Sequence, residues 1–353
     1  MDTYTQNFPL KLAKKLQEAP QFKGLVSGRI TTRHSKIYTT GLPKTNAIND
    51  TYERAITLMI AIRSHIQYTP DANLSKSLTT ELIKTIHGSN FIEYAGLNFS
   101  NTSALCGKLF DNLEENIDVG KSGSNKGEME VVQHTKALTY FFQKFVIEEE
   151  SLSEALILQT HRILCEGSTH ADGTPWQEWA GIYRTYEVAA ASPSPLDPTK
   201  RQKSISIRAD AVEQYMSTMV KNFDNMAHSS STTSFASIDP FEIASWLCTQ
   251  FVNIHPFGDG NGRMCRILLN GVLVRYTGLF ACIGDDQNTT NGREEYLEVA
   301  NKGNKAFHKE DFEVEVEEQT SHVELTELVL KKVLQCAERM VKVVIKGDKA
   351  DKE

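Results

Sequence analysis

Apolar residues recur at helical spacing along most of the chain. Val212, Tyr215, Met216, Met219 and Phe223 fall on one stripe, a pattern that reads as a core face rather than a binding groove. Glu128 to Ile147 and Ser151 to Leu164 read as a helix pair, and a last helix runs around Leu325 to Ile345. Residues 1–78 also read as helical, without an assignable function. A further helix starts at Asp239-Pro240-Phe241-Glu242, with Asp239 as N-cap, Pro240 at the first helical position and Glu242 reaching back. Phe241, Ala244, Trp246, Leu247, Phe251, Val252 and Ile254 make it apolar on more than one side, so it is predicted to be deeply buried. Pro256 stops it, and another helix begins near Asn261 and runs towards Tyr276. Strand-like patterning is rare. Ile182, Tyr183, Thr185, Tyr186 and Val188 have β propensity, and Pro193, Pro195 and Pro198 after them exclude a helix. Residues 119–127 and 227–237 read as loops, and the charged tail Lys346 to Glu353 as disordered. Helical periodicity therefore dominates the chain.

Composition narrows the function. The chain has 353 residues, 40% hydrophobic and 24% charged, ordinary for a protein with a large core. A formal net charge of −7 with no dense basic patch argues against nucleic-acid binding. No apolar run is long enough for a transmembrane span, and the first twenty residues lack an apolar signal region, so a cytoplasmic location and no membrane partner are expected. Six cysteines have no paired spacing and read as reduced core residues. No Cys/His cluster has zinc-ligand spacing. No internal repeat is visible. His161 reads as a hydrogen-bonded core histidine. Gly120-Lys121-Ser122 lacks the first glycine of a phosphate loop, because Glu115 stands there.

The stretch from His255 to Arg266, HPFGDGNGRMCR, concentrates the chemistry. Gly258, Gly260 and Gly262 let the backbone bend and approach a ligand closely. The start of the second helix offers unpaired N–H groups and the positive end of its dipole, so phosphate is the expected guest. Arg263 and Arg266, three apart, share a helix face and can reach one anion. Asn261 adds neutral donors. Asp259 would repel a bare phosphate and implies a bridging Mg²⁺, with Mn²⁺ as a substitute. His255 has the intrinsic pKa of a general base near neutral pH.

These residues match the signature His-x-Phe-x-Asp/Glu-Gly-Asn-Gly-Arg-x-x-Arg at every specified position, and the chain therefore resembles the Fic (Fido) family of protein adenylyltransferases. Ile157 to Gly167, Gly181-Ile-Tyr-Arg184, Asp239 to Ile254 and Val299-Ala-Asn301 extend the similarity. The resemblance implies an all-α fold: a Fic-type helical core with one small β-hairpin flap at 151–310, preceded by a helical region at 79–150 and additional N-terminal helices, and followed by a C-terminal helix and tail at 311–353. It implies transfer of AMP from ATP to a hydroxyl of a protein target, with release of pyrophosphate. His255 would deprotonate that hydroxyl, Phe257 would anchor the loop, and Asp259 would hold Mg²⁺. Gly258, Gly260, Asn261, Gly262, Arg263 and Arg266 would meet phosphates, and Asn301 and Tyr296 the adenine. Ile182, Tyr183, Arg184, Thr185 and Tyr186 resemble the family's flap, a hairpin whose open edge would dock an extended target segment.

Ser89-Asn-Phe-Ile-Glu93 resembles the inhibitory motif of the family's class II members, placed on a helix around 84–95. The resemblance implies that Glu93, with Ser89, pairs with Arg266 and occupies the γ-phosphate site. Tyr94 stands where that motif has Gly or Asn. Rival readings are removal of AMP with Glu93 positioning water, transfer of another nucleotide such as UMP, and a nucleotide-sensing scaffold without catalysis. A homodimer is compatible with the sequence.

Overall fold

In a computed structural model of the chain, the described residues are 4–18, 45–111, 126–170, 172–188, 190–194, 197–204, 206–228, 239–285, 291–311 and 314–345. The Gly120-Lys121-Ser122 triplet, the charged tail and most of the two loops read from sequence lie outside them. Among the described residues, no helix is long and apolar enough to cross a membrane.

The architecture is helical. Early in the chain come α1 (Phe8–Glu18), α2 (Thr45–Ile66), α3 (Asp71–Ile92) and α4 (Phe99–Phe110). They are followed by α5 (Lys126–Phe142), which continues as a π turn over Gln143–Ile147, and by α6 (Glu154–Cys165). A two-stranded antiparallel sheet, β1 (Ala190–Ser194) and β2 (Asp197–Ser204), precedes α7 (Val212–His228). Then come α8 (Pro240–Ile254), α9 (Asn261–Thr277), α10 (Asn291–Ala306) and α11 (Val323–Val344).

The centre is the pair α8 and α9, which pack on each other and bring α5, α7 and α11 around them. Phe141, Phe142, Phe251, Phe257 and Phe280 are fully buried there. α3 lies beside α9 and crosses the segment after it so closely that a Cβ on Gly88 or Gly284 would strike the other's backbone. α1 packs on α3, and α2 on α11, so the N-terminal helices clothe the core. All six cysteines are buried and unpaired.

Local sequence rules set the helix ends that matter. Asp239 caps α8, its Oδ1 accepting from the N–H of Phe241 at 2.9 Å and of Glu242 at 3.3 Å. The Glu242 carboxylate, which follows in the first turn, lies 3.6 Å from His322 Nε2. Gly260 opens α9 with φ 76° and Gly278 closes it with φ 71°, conformations that favour glycine.

The strand expected over Ile182–Val188 is absent. That segment is irregular, and the hairpin begins at Ala190, with Ala190 opposite Ser204. The physical reason is Arg184. Its backbone N–H donates to Pro256 O at 2.9 Å, and its guanidinium is buried among carbonyls of His255, Tyr186, Ile207 and Ile254. This anchoring outweighs the strand preference of its β-branched and aromatic neighbours. Prolines 193 and 198 sit within the hairpin rather than after it.

Candidate active site

α8 ends on His255, which takes the left-handed conformation (φ 52°) so that the chain reverses into the glycine turn. Phe257 is the plug of this turn. It is fully buried and stacks on His161 with ring centroids 3.6 Å apart and planes within 3°. His161 is itself buried, its Nδ1 accepting from Gly181 N–H at 2.8 Å and its Nε2 lying 3.0 Å from Asp259 O. It is the hydrogen-bonded core histidine expected from sequence, and it holds the distant Gly181 segment to the signature turn. Asn261 works on the same turn. Its Oδ1 accepts from Phe257 N–H at 3.0 Å and its Nδ2 donates to Phe257 O at 2.8 Å. One of the two Asn261 N–H donors is thus engaged in shaping the loop, while Asn261 and the rest of the α9 first turn line the cavity.

That turn has no side-chain cap, since Gly260 is its N-cap. Its N–H groups open onto a cavity of about 240 Å³ bounded by Glu93, His255, Gly258, Asp259 and Arg263, with Lys126 and Glu130 at another side. Asp259 is exposed to solvent and accepts from Gly260 N–H at 2.6 Å. Arg263 is buried, with Nη2 3.9 Å from Asp259 and with an Nε that has no hydrogen-bond partner among the described residues. A buried guanidinium N–H without a partner is costly, and an anion in the cavity would relieve it.

His255 is half-buried. Its Nδ1 lies 3.3 Å from Val252 O, which can only accept, so Nδ1 carries the proton and Nε2 presents a lone pair. Burial lowers its pKa, and Arg184 adds to that. The Val252 hydrogen bond, Glu93 and Asp259 pull the other way without reversing it.

Arg266 does not face an open cavity. Nε donates to Ser89 Oγ at 2.9 Å, and Nη2 donates to Ser89 O at 2.9 Å and to Glu93 Oε1 at 2.7 Å. Burial opposes its charge, but the Glu93 carboxylate more than offsets this and its pKa is raised. Glu93 lies directly on the α9 first turn, where a Cβ on Gly262 would collide with its carboxylate. Glu93 caps the C-terminus of α3, and Tyr94 follows in the left-handed conformation (φ 54°). The tyrosine therefore adopts the backbone that Gly or Asn would supply. It is 81% exposed, with the Arg293 guanidinium 3.9 Å above its ring. Arg293 Nε also donates to Ile92 O at 2.8 Å. The segment after Tyr94 is clipped by Glu130, which accepts from Gly96 N–H at 2.8 Å.

Tyr296 and Asn301 do not line the cavity. Tyr296 is buried beneath Arg266, its hydroxyl 3.4 Å from Nη1, and Asn301 is half-buried on α10. Of the flap residues, Ile182 and Tyr186 are exposed, Arg184 is a buried strut, and Tyr183 donates to Glu154 at 2.8 Å. Sequence reading passed over His170, Asp172, Lys126 and Glu130, which approach the site from separate segments with no shared local pattern.

Residues 151–273 match the Fic/DOC family. A Fido domain-containing protein of Dictyostelium discoideum is 33% identical over 96 residues, covering 27% of this chain and 55% of that protein. The protein adenylyltransferase Fic of Nematostella vectensis is 27% identical over 203 residues, 57% of this chain and 40% of that one. The chain thus spans about half the length, or less, of the curated relatives it matches. In structure it is similar to a Fic domain-containing signalling protein from Bacteroides thetaiotaomicron, with TM-score 0.59 and 20% identity over 85% of this chain and 98% of that one. It is also similar to Fic-1 of Caenorhabditis elegans, with TM-score 0.59 and 17% identity over 90% and 82% of the two chains. At these identities the structural likeness concerns the fold.

Proposed function

The chain carries a Fic domain, and from that premise we propose that it is a protein adenylyltransferase held in check by Glu93. The observation that carries the proposal is the placement of His255 on the rim of a cavity floored by an uncapped helix N-terminus and the under-bonded Arg263. Two matched relatives, from Nematostella vectensis and Caenorhabditis elegans, bear the name protein adenylyltransferase.

In this reading the hydroxyl oxygen of a target protein attacks the α-phosphorus of ATP. A P–O bond forms to the target, the bond to pyrophosphate breaks, and His255 Nε2 takes the hydroxyl proton. A lowered pKa keeps the imidazole neutral at pH 7, the form a base requires. The N–H groups of the α9 first turn and the Arg263 guanidinium stabilise charge on the phosphates. Asp259 is a single exposed carboxylate, and no cluster of three or more His, Cys, Asp or Glu suited to a metal occurs among the described residues. One carboxylate plus substrate phosphates suits Mg²⁺: Asp259 would hold it, and it would offset phosphate charge; Mn²⁺ suits the same donors.

The brake reading rests on two contacts. Glu93 neutralises Arg266, and its carboxylate lies against Gly262, where a phosphate oxygen would meet the helix N-terminus. The cavity of about 240 Å³ falls below the usual range of small-molecule sites, as expected if Glu93 fills part of it.

The test uses ATP labelled at the α- or the γ-phosphate. Label from the α-position should remain on protein, rise several-fold in Glu93→Gly and vanish in His255→Ala. Retention from the γ-position alone would mean phosphorylation. No label with any nucleotide would leave the scaffold reading, and loss of a preformed AMP label that depends on Glu93 would favour removal of AMP.

A further inference from the structure

Beside the base stands a chain of three side chains that the signature does not include. Asp172 Oδ1 lies 3.1 Å from His170 Nδ1, and His170 Nε2 lies 3.4 Å from the Tyr186 hydroxyl. The first member is fixed by its own turn: Asp172 Oδ1 also accepts from Thr174 N–H at 2.9 Å, and His170 N–H donates to Thr174 O at 2.9 Å. The His170 ring meets Trp179 edge-on at 5.6 Å. The last member touches the signature turn. A Cβ on Gly258 would collide with the Tyr186 hydroxyl and come within 3.2 Å of His170 Nε2. Position 258 is one that the signature leaves unspecified, and the missing side chain here makes room for Tyr186 and His170.

Resting on the transfer reaction proposed above, we propose that Tyr186, oriented by His170 and Asp172, is a specificity-determining group that accepts a hydrogen bond from the target polypeptide beside the modified hydroxyl. The polarity of the relay decides this. A carboxylate only accepts, so His170 Nδ1 holds the ring proton and Nε2 is left as an acceptor. The phenol proton is then directed to His170, and the phenol oxygen presents only lone pairs towards the turn. Phosphate oxygens are acceptors as well and gain nothing from it. A backbone N–H, or a side-chain donor, of an incoming polypeptide is its complement. The phenol stays protonated at neutral pH, since burial and the nearby Asp172 raise its pKa.

The position fits a target contact. Tyr186 is 46% exposed and lies against Gly258, which lines the cavity together with His255, so the phenol stands beside the approach to the imidazole. It cannot drift from the turn, because Arg184, two residues earlier, is tied to the carbonyls of His255 and Pro256.

The experiment uses the full chain carrying Glu93→Gly, α-labelled ATP and an arrayed library of peptides containing Ser, Thr or Tyr. In that background Tyr186→Phe should raise the KM of the best-labelled peptides about five-fold, the usual worth of one lost hydrogen bond. The dissociation constant of Mg·ATP, measured by calorimetry, should stay within about two-fold. His170→Gln can donate to the phenol, turning the phenol proton outward, and should reorder the peptides towards those offering an acceptor; a purely structural role would not change the order. Unchanged peptide KM and ranking in Tyr186→Phe overturns the proposal, and so does weakened Mg·ATP binding with peptide KM unaffected. If the Glu93→Gly parent itself labels no peptide, the transfer reading falls and this subsite with it, an outcome distinct from a labelling parent with an indifferent Tyr186.

Discussion

His161 shows how much a single side chain can carry in this site without touching substrate. It stacks on Phe257, accepts from Gly181 and meets the Asp259 carbonyl, all while buried. Burial pushes its pKa down to about 4, against the smaller pull of the Asp259 carbonyl and charge. In the unfolded chain the same imidazole takes up a proton near pH 6.5. Between those values the unfolded state binds more protons, so stability is full above about pH 6.5 and declines as pH falls towards 4. The loss from this residue alone is roughly 3 kcal/mol by pH 4. Urea midpoints at pH 7 and pH 4.5 check it, with His161→Gln less stable at pH 7 but showing a shallower acid loss. At this scale the signature residues were legible because their types are rare in combination. Their partners were not: the Asn261 amide brackets the Phe257 backbone, and Arg184 reads as a surface flap residue until its carbonyl cage appears.

At the scale of elements, α3 is the part that decides the state of the site, and it is tied down along its length. Near its middle, Glu81 is buried and receives two hydrogen bonds from Arg339 on α11, at 2.7 and 2.6 Å. Further on, Gly88 interlocks with Gly284, and at the C-terminus Ser89 and Glu93 receive Arg266. Removing one partner of a buried pair leaves the other charge uncompensated, so Arg339→Met should destabilise by about 3 kcal/mol. Glu81→Met combined with Arg339→Met should recover most of that, and denaturant midpoints of the three proteins decide it. Helix starts such as Asp239-Pro240 were readable in the sequence because capping is local. The hairpin was misplaced to 182–188 because its position depends on where Arg184 is anchored, a contact with residues 254–256 that no local window contains. The Glu81–Arg339 tie spans more than 250 residues and leaves no trace in periodicity.

Across the whole molecule, the N-terminal helices acquire a role that their sequence did not suggest. α1 buries Phe8, Leu12, Ala13 and Leu16 and packs on α3. Lys15 pairs with Glu149, and Gln17 Nε2 donates to Thr69 O at 2.9 Å just before α3 begins. The helix that carries Glu93 is therefore seated between the signature turn at one end and α1 at the other. If α3 moves as one body, loosening its seat on α1 must weaken the contact of Glu93 with Arg266, although the two are far apart along the helix. Leu12→Ala is the smallest change that tests this. A buried Leu→Ala substitution costs about 3 kcal/mol, enough to shift the seat without removing α1. Self-labelling from α-labelled ATP should rise above wild type while staying below Glu93→Gly, and adding Leu12→Ala to Glu93→Gly should give no further rise. A lowered denaturation midpoint with unchanged labelling would mean that α3 bends rather than moves, and that α1 supports stability alone.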